Sequence, residues 1–124
     1  MKNLLIFILL IISIVKGNIL HVSTTGNDES GDGSANNPFL TIQKGIDEAS
    51  SMDTVLVLNG VWEGGVTIDN KQITLMGESM DDTKLNIPTT VPNISVLNND
   101  DTVRVENFKI KRGNAELGGS ALYI

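Results

Sequence analysis

Asn37-Pro38-Phe39-Leu40-Thr41-Ile42-Gln43-Lys44-Gly45-Ile46-Asp47-Glu48-Ala49 decides the fold, because it is the one stretch beyond the leader with helical spacing. Phe39, Ile42, Ile46 and Ala49 recur at three- and four-residue steps. They line one face of an amphipathic helix and leave Lys44, Asp47 and Glu48 to water. Asn37 offers a side-chain acceptor to the unpaired amides of the first turn, and Pro38 suits a first helical position because its missing N–H had no partner to lose; Thr41 is an equal candidate for the cap. From Asp53 onward the pattern is short alternating strands cut by Gly, Asn and Asp. A stack of strands has an open end that needs a cover, so the helix is expected to be a plug.

Upstream, Met1-Lys2-Asn3 precedes an apolar run over 4–15 whose one polar member is Ser13, and Lys16-Gly17 follows. This is the layout of a secretory signal peptide, with a small residue at Gly17 and Val15 two before it. The run is too short for a membrane span of about 20 residues. Residues 1–17 are therefore expected to be removed after Gly17, leaving 18–124 as a secreted or cell-surface domain that does not insert in a membrane. Loss of Lys2 and Lys16 leaves 7 basic and 15 acidic residues, a formal charge of −8. That balance argues against a nucleic-acid partner. Arg104, Lys109, Lys111 and Arg112 are interrupted by Glu106 and are expected to form a solvated strand face. Without cysteine the domain must find its core in stacked strands rather than disulfides. Asn93-Ile94-Ser95 is a glycosylation acceptor at Asn93 if the source is eukaryotic.

Strands are expected over 19–23, 53–58, 66–69, 72–76, 84–87, 94–97, 102–105, 108–111 and 120–124, with 25–34 a surface loop and 60–65 a turn. Val103 and Val105 share an inward direction with Phe108 and Ile110 only if the chain skips a step at Glu106-Asn107. Asn107 therefore marks a corner, as does Asn70 between 66–68 and 73–75, since Asn tolerates left-handed backbone. Short strands meeting at Asn corners, with an irregular period on the order of 20–30 residues, point to a solenoid rather than to hairpins.

The order Val22-Ser23, Gly26-Asn27-Asp28, Gly31-Asp32-Gly33, Asn37-Pro38-Phe39, Thr41 to Ile46, Asp53-Thr54-Val55, Gly60-Val61-Trp62 and Ile73-Thr74-Leu75-Met76-Gly77-Glu78 resembles the N-terminal portion of right-handed parallel β-helix proteins of the pectate-lyase-like superfamily. The resemblance covers most of 19–124. It implies an all-β, right-handed parallel β-helix with an N-terminal capping α-helix, and it does not specify an activity. Gly118-Gly119-Ser120-Ala121-Leu122-Tyr123-Ile124 is similar to the Gly-Gly-Ala-Ile repeats of polymorphic outer-membrane proteins, without their Phe-x-x-Asn half. The sequence stops within a strand pattern, which suggests further coils of a longer, C-terminally incomplete solenoid.

Asp28, Ser30 and Asp32 place oxygen ligands at alternate positions before Gly33, as the first half of an EF-hand does, and are the candidate calcium ligands; Phe39 stands where the second half needs Glu. Lyases of the resembled fold hold calcium on groove aspartates and abstract a sugar proton with Lys or Arg. Asp100-Asp101, Arg104, Lys109 and Lys111 have those residue types, but they also read as a polar corner and an outward strand face. No catalytic residue is assigned, and His21 is expected to be structural. Trp62 is expected to pack near the capped end. Two functions follow: a non-catalytic module displaying loops for adhesion or glycan recognition, or the start of a polysaccharide lyase or glycoside hydrolase whose active site lies beyond 124.

Overall fold

A computed structural model describes residues 16–90 and 94–113, with the backbone of 115–123. The leader up to residue 15 and the acceptor Asn93 lie outside the described residues. The described residues are mostly strands in parallel sheets with one short helix. In chain order these are β1 (Ile19–Val22), α1 (Ile42–Glu48), β2 (Thr54–Val57), β3 (Gly60–Glu63), β4 (Val66–Asp69), β5 (Thr74–Gly77), β6 (Thr83–Ile87), β7 (Ile94–Leu97), β8 (Arg104–Arg112) and β9 (Ala115–Tyr123).

The strands pair in three parallel ladders. The first is β1-β2-β5-β8, with Val55 opposite Leu20 and Leu75, and Val105 opposite Leu75. The second is β3-β6-β8, where Trp62 meets Leu85 and Leu85 meets Ile110. The third is β4-β7, where Ile68 meets Val96. Because side chains alternate along a strand, pairing in this register stacks like on like: Val55, Leu75 and Val105 are buried, as are Trp62, Leu85, Val66 and Ile68. Strand β8 belongs to two ladders because it bends at Asn107, whose φ of 60° is left-handed. Asn70 (φ 49°) also turns the chain as expected, and Asn98 (φ 51°) stacks on it in the next layer, donating from Nδ2 to Asp69 Oδ1 at 2.8 Å.

Five expectations need correction. The helix is seven residues long and starts after Thr41, whose hydroxyl accepts from Lys44 N at 3.2 Å; Asn37 and Pro38 are not its start. Phe39 is buried but extended, bridging Val22, because its N–H and C=O are taken by His21 and Ser23 at 3.0 and 2.9 Å. The 60–65 segment is not merely a turn, since Gly60–Glu63 is a strand bounded by glycines with positive φ. The strands expected at 102–105 and 108–111 are one element, and the last strand runs antiparallel to β8 rather than adding a parallel coil. Arg112 pairs with Ala115 at that reversal, and Gly113 there has a left-handed φ of 57°.

The helix packs on β1, β2 and β4, spanning the first and third ladders at their first strands. Its Ile42, Gly45 and Ile46 are buried, and a Cβ at Gly45 would lie 2.7 Å from Val22 Cγ2 and 2.9 Å from Val55 Cγ1. The sheet edges at this end are closed by substitutes for strands. His21 N–H donates to Gly33 O at 2.7 Å, so the 25–40 loop lies along the free side of β1. On β4, the Gln43 side-chain amide reproduces a strand neighbour: Thr67 N–H donates to Gln43 Oε1 and Gln43 Nε2 donates to Thr67 O, both at 2.9 Å. Such cover removes the template that an open edge offers to other chains.

Candidate functional site

The Gly-rich loop is held by its own hydrogen bonds. Asn27 Oδ1 accepts from Glu29 N and Ser30 N at 2.8 and 3.0 Å, and Asn37 Nδ2 donates to Ser30 O at 2.8 Å. Gly33 must be glycine, since its φ is 79° and the Phe39 ring lies 2.7 Å from where a Cβ would sit. Asp28 points to the helix start: Oδ1 accepts from Leu40 N and Thr41 N at 2.7 and 3.0 Å, and Oδ2 from Thr41 Oγ1 at 2.7 Å. Asp32 Oδ1 accepts from Ser34 N at 2.9 Å. Both Asp28 oxygens and one Asp32 oxygen are thus engaged by the chain, which fits a loop clasp better than an open calcium cradle. Among the described residues no cluster of three or more His, Asp or Glu side chains has metal-site geometry.

Partial burial raises the Asp28 pKa, but the Thr41 and Leu40 hydrogen bonds and nearby Lys44 outweigh it, holding the carboxyl below its ordinary value. Hydrogen bonds with Ser34 lower Asp32 likewise. A carboxyl whose folded pKa is depressed contributes stability above its unfolded pKa and loses it as pH falls through the folded value. Thermal melts should therefore weaken below about pH 4, and Asp28→Asn should flatten part of that fall. At neutral pH Asp28→Ala should cost about 1–2 kcal/mol by urea denaturation, as the loss of a helix cap does. An unchanged acid limb in Asp28→Asn would show that the clasp is not made in solution.

The catalytic residue types are dispersed. Asp100 and Asp101 line an open hollow with Val96, Asn98 and Asn99, whereas Arg104 Nε pairs with Glu106 Oε2 at 2.9 Å. Lys109 and Lys111 lie on the second ladder, opposite Lys84 and Asn86. Asn86 Nδ2 donates to Glu63 Oε1 at 3.0 Å, so the outer face there carries mixed charge. His21 Nδ1 lies 3.3 Å from Gly33 O, a structural contact when that nitrogen carries the proton.

A cleft of about 500 Å³ lies between the helix start and β3. Its lining includes Thr24, Leu40, Thr41, Gln43, Val61 and Glu63, with Trp62 behind them. Leu40 and Val61 are 42% and 54% exposed, whereas Trp62 is 7% exposed and donates from Nε1 to Leu58 O at 3.1 Å. The alternation explains this: with Trp62 turned inward, Val61 and Glu63 face outward. Strand β3 ends its sheet, so among the described residues one row of its backbone groups has no neighbouring strand. Exposed Leu40 and Val61 lie beside the Thr24 hydroxyl and the Glu63 carboxylate, whereas the Thr41 hydroxyl and the Gln43 amide are held by Asp28 and Thr67; the mixed lining suits a partly polar ligand. The site is hidden in the sequence because the glycines of 60–65 give it the composition of a turn; its signal is the inward Trp62 flanked by outward Val61 and Glu63.

Among the described residues no helix is long and apolar enough to cross a membrane. Comparison of the chain with known protein families, curated proteins and solved structures finds no match.

Proposed function

We propose that the chain is a secreted or cell-surface, non-catalytic module that recognises glycans through the cleft between Leu40 and Val61. In this reading the three ladders are faces of successive coils of a right-handed parallel β-helix. Register shifts of 20 residues from Thr54 to Thr74, 23 from Gly60 to Thr83 and 28 from Val66 to Ile94 support it, since each passage of the chain adds one strand to each ladder. The observation that carries the functional reading is the cleft: exposed Leu40 and Val61 beside Thr24 and Glu63. A sugar presents C–H faces to apolar side chains and hydroxyls to polar ones, and this lining offers both.

Calorimetry against a panel of neutral and uronic-acid oligosaccharides tests the reading. A bound glycan is expected, weakened at least tenfold by Leu40→Asp or Val61→Asp with circular dichroism unchanged, a loss of about 1.4 kcal/mol. Absence of binding across the panel, or binding indifferent to both substitutions, would contradict it. Unsaturated product released from polygalacturonate with calcium, and lost in Lys109→Ala or Lys111→Ala, would favour the lyase alternative.

A further inference from the structure

Asp53 is a carboxylate 5% exposed, set between the helix end and β2. Its oxygens accept from two backbone N–H groups, Asn18 N on Oδ1 at 2.7 Å and Ser50 N on Oδ2 at 2.8 Å. Neither donor carries a charge, although burying a carboxylate is costly unless its charge is matched. The backbone around it is fixed: Asp53 N donates to Ser50 O at 3.1 Å, Thr74 N to Asp53 O at 3.0 Å and Thr54 N to Asn18 O at 2.8 Å. The nitrogen it holds at 2.7 Å belongs to the peptide bond between Gly17 and Asn18, the bond at which the leader pattern places cleavage.

We infer that removal of the leader after Gly17 turns the Asn18 nitrogen into an α-ammonium that forms an ion pair with buried Asp53, so that processing itself locks the first strand onto the stack. Hydrolysis adds water across one peptide bond: the Gly17 carbonyl carbon takes the hydroxyl and leaves with the leader as a carboxylate, and the Asn18 nitrogen gains protons. That nitrogen needs no journey, because it already sits on Oδ1. The contact changes from a neutral amide donor to a charge-assisted one, shorter and roughly twice as strong. Gly17 is also where a residue must leave or stay small, since a Cβ there would run into the carbonyl of Met52.

The ionisable side chains on the surrounding elements are Lys16 on the departing arm, His21 on β1, Lys44, Asp47 and Glu48 on the helix, Lys71 between β4 and β5, and Arg104 on β8. Glu48 is paired with Lys44, and Lys71 Nζ is held by the carbonyls of Ile46, Asp47 and Ala49. The new ammonium would be the charged partner that Asp53 meets on its Asn18 side. A cation stabilised by such a partner has a folded pKa above its unfolded value of about 7.7–8.0. Its contribution is complete below that range and is lost as pH rises through the raised folded value.

The test uses the full chain, leader included, secreted from an exporting host. Intact mass and N-terminal sequencing of the product should give Asn18 as the first residue. Selective labelling of the α-amine as a function of pH should place its pKa at least one unit above 8 in the folded protein, a tenfold shift in its protonation equilibrium. The same amine should titrate at its ordinary value in urea or in Asp53→Asn. If Asp53→Asn does not fold, the folded and urea-unfolded wild-type titrations decide alone. A product that keeps its leader or begins at another residue overturns the inference, as does a folded amine titrating near 8.

Discussion

Gly45→Val is expected to lower the melting temperature by roughly 10–20 °C, about 3 kcal/mol or more. The sign is what makes this informative. Glycine inside a helix is unfavourable by about 1 kcal/mol relative to alanine, so on a free helix Gly45→Ala would stabilise. Here the added methyl meets Val22 Cγ2 at 2.7 Å and Val55 Cγ1 at 2.9 Å, on side chains that are themselves fully buried. Neither valine can step aside, because each sits in a ladder with Cα partners on the next strand. Gly45→Ala should therefore destabilise, and valine, branched at Cβ, should do so more strongly. A thermal melt in which Gly45→Ala raises the melting temperature would mean that the helix does not rest on β1 and β2.

Lys71→Met is expected to cost about 3 kcal/mol in urea denaturation. A seven-residue helix ends with carbonyls that no further turn satisfies, and Ala49 N–H, which bonds Gly45 O and Ile46 O, answers only some of them. Lys71 Nζ reaches across from the link between β4 and β5 and donates to Ile46 O, Asp47 O and Ala49 O at 2.9, 3.1 and 2.8 Å. All three ammonium protons are used, at the negative end of the helix dipole. Hydrogen bonds to charged groups contribute about 1.5–3 kcal/mol each when partly shielded, although three on one group do not add fully. Lys71→Arg should recover only part of the loss, because a planar guanidinium cannot place three donors on a tripod of carbonyls. A Lys71→Met midpoint within 0.5 kcal/mol of the parent would remove the clamp from this account.

Much of the framework was legible because it rests on local periodicity. Val55-Val57, Val66-Ile68 and Leu85-Ile87 alternate as strands half-buried on one face, and Asn70 and Asn107 stand where the alternation must change phase. The helix was legible as an amphipathic stripe, but its start was not. Phe39 fits the helical spacing and also fits a bridge to Val22, and the backbone demands of His21 and Ser23 decide between them. Strand β3 was hidden by its flanking glycines, and the cleft was hidden with it. Gln43 and Lys71 act through Thr67 O and the helix carbonyls, 24 and 22–25 residues away in the chain, so their roles become visible only once the register is known. Asp28 has a partner that alternation alone does not reveal. Its carboxylate clasps Leu40 and Thr41, 12 and 13 residues on.

Parallel pairing of strands 20 to 28 residues apart, with α1 packed on β1, β2 and β4, is the claim on which everything else stands. Solution NMR of amide contacts tests it most directly. The account predicts cross-strand contacts linking Thr67 with Ser95, Val61 with Lys84 and Leu56 with Met76, each in parallel register. Close Hα–Hα contacts joining β4 to β5 or β5 to β6 as an antiparallel meander would contradict it.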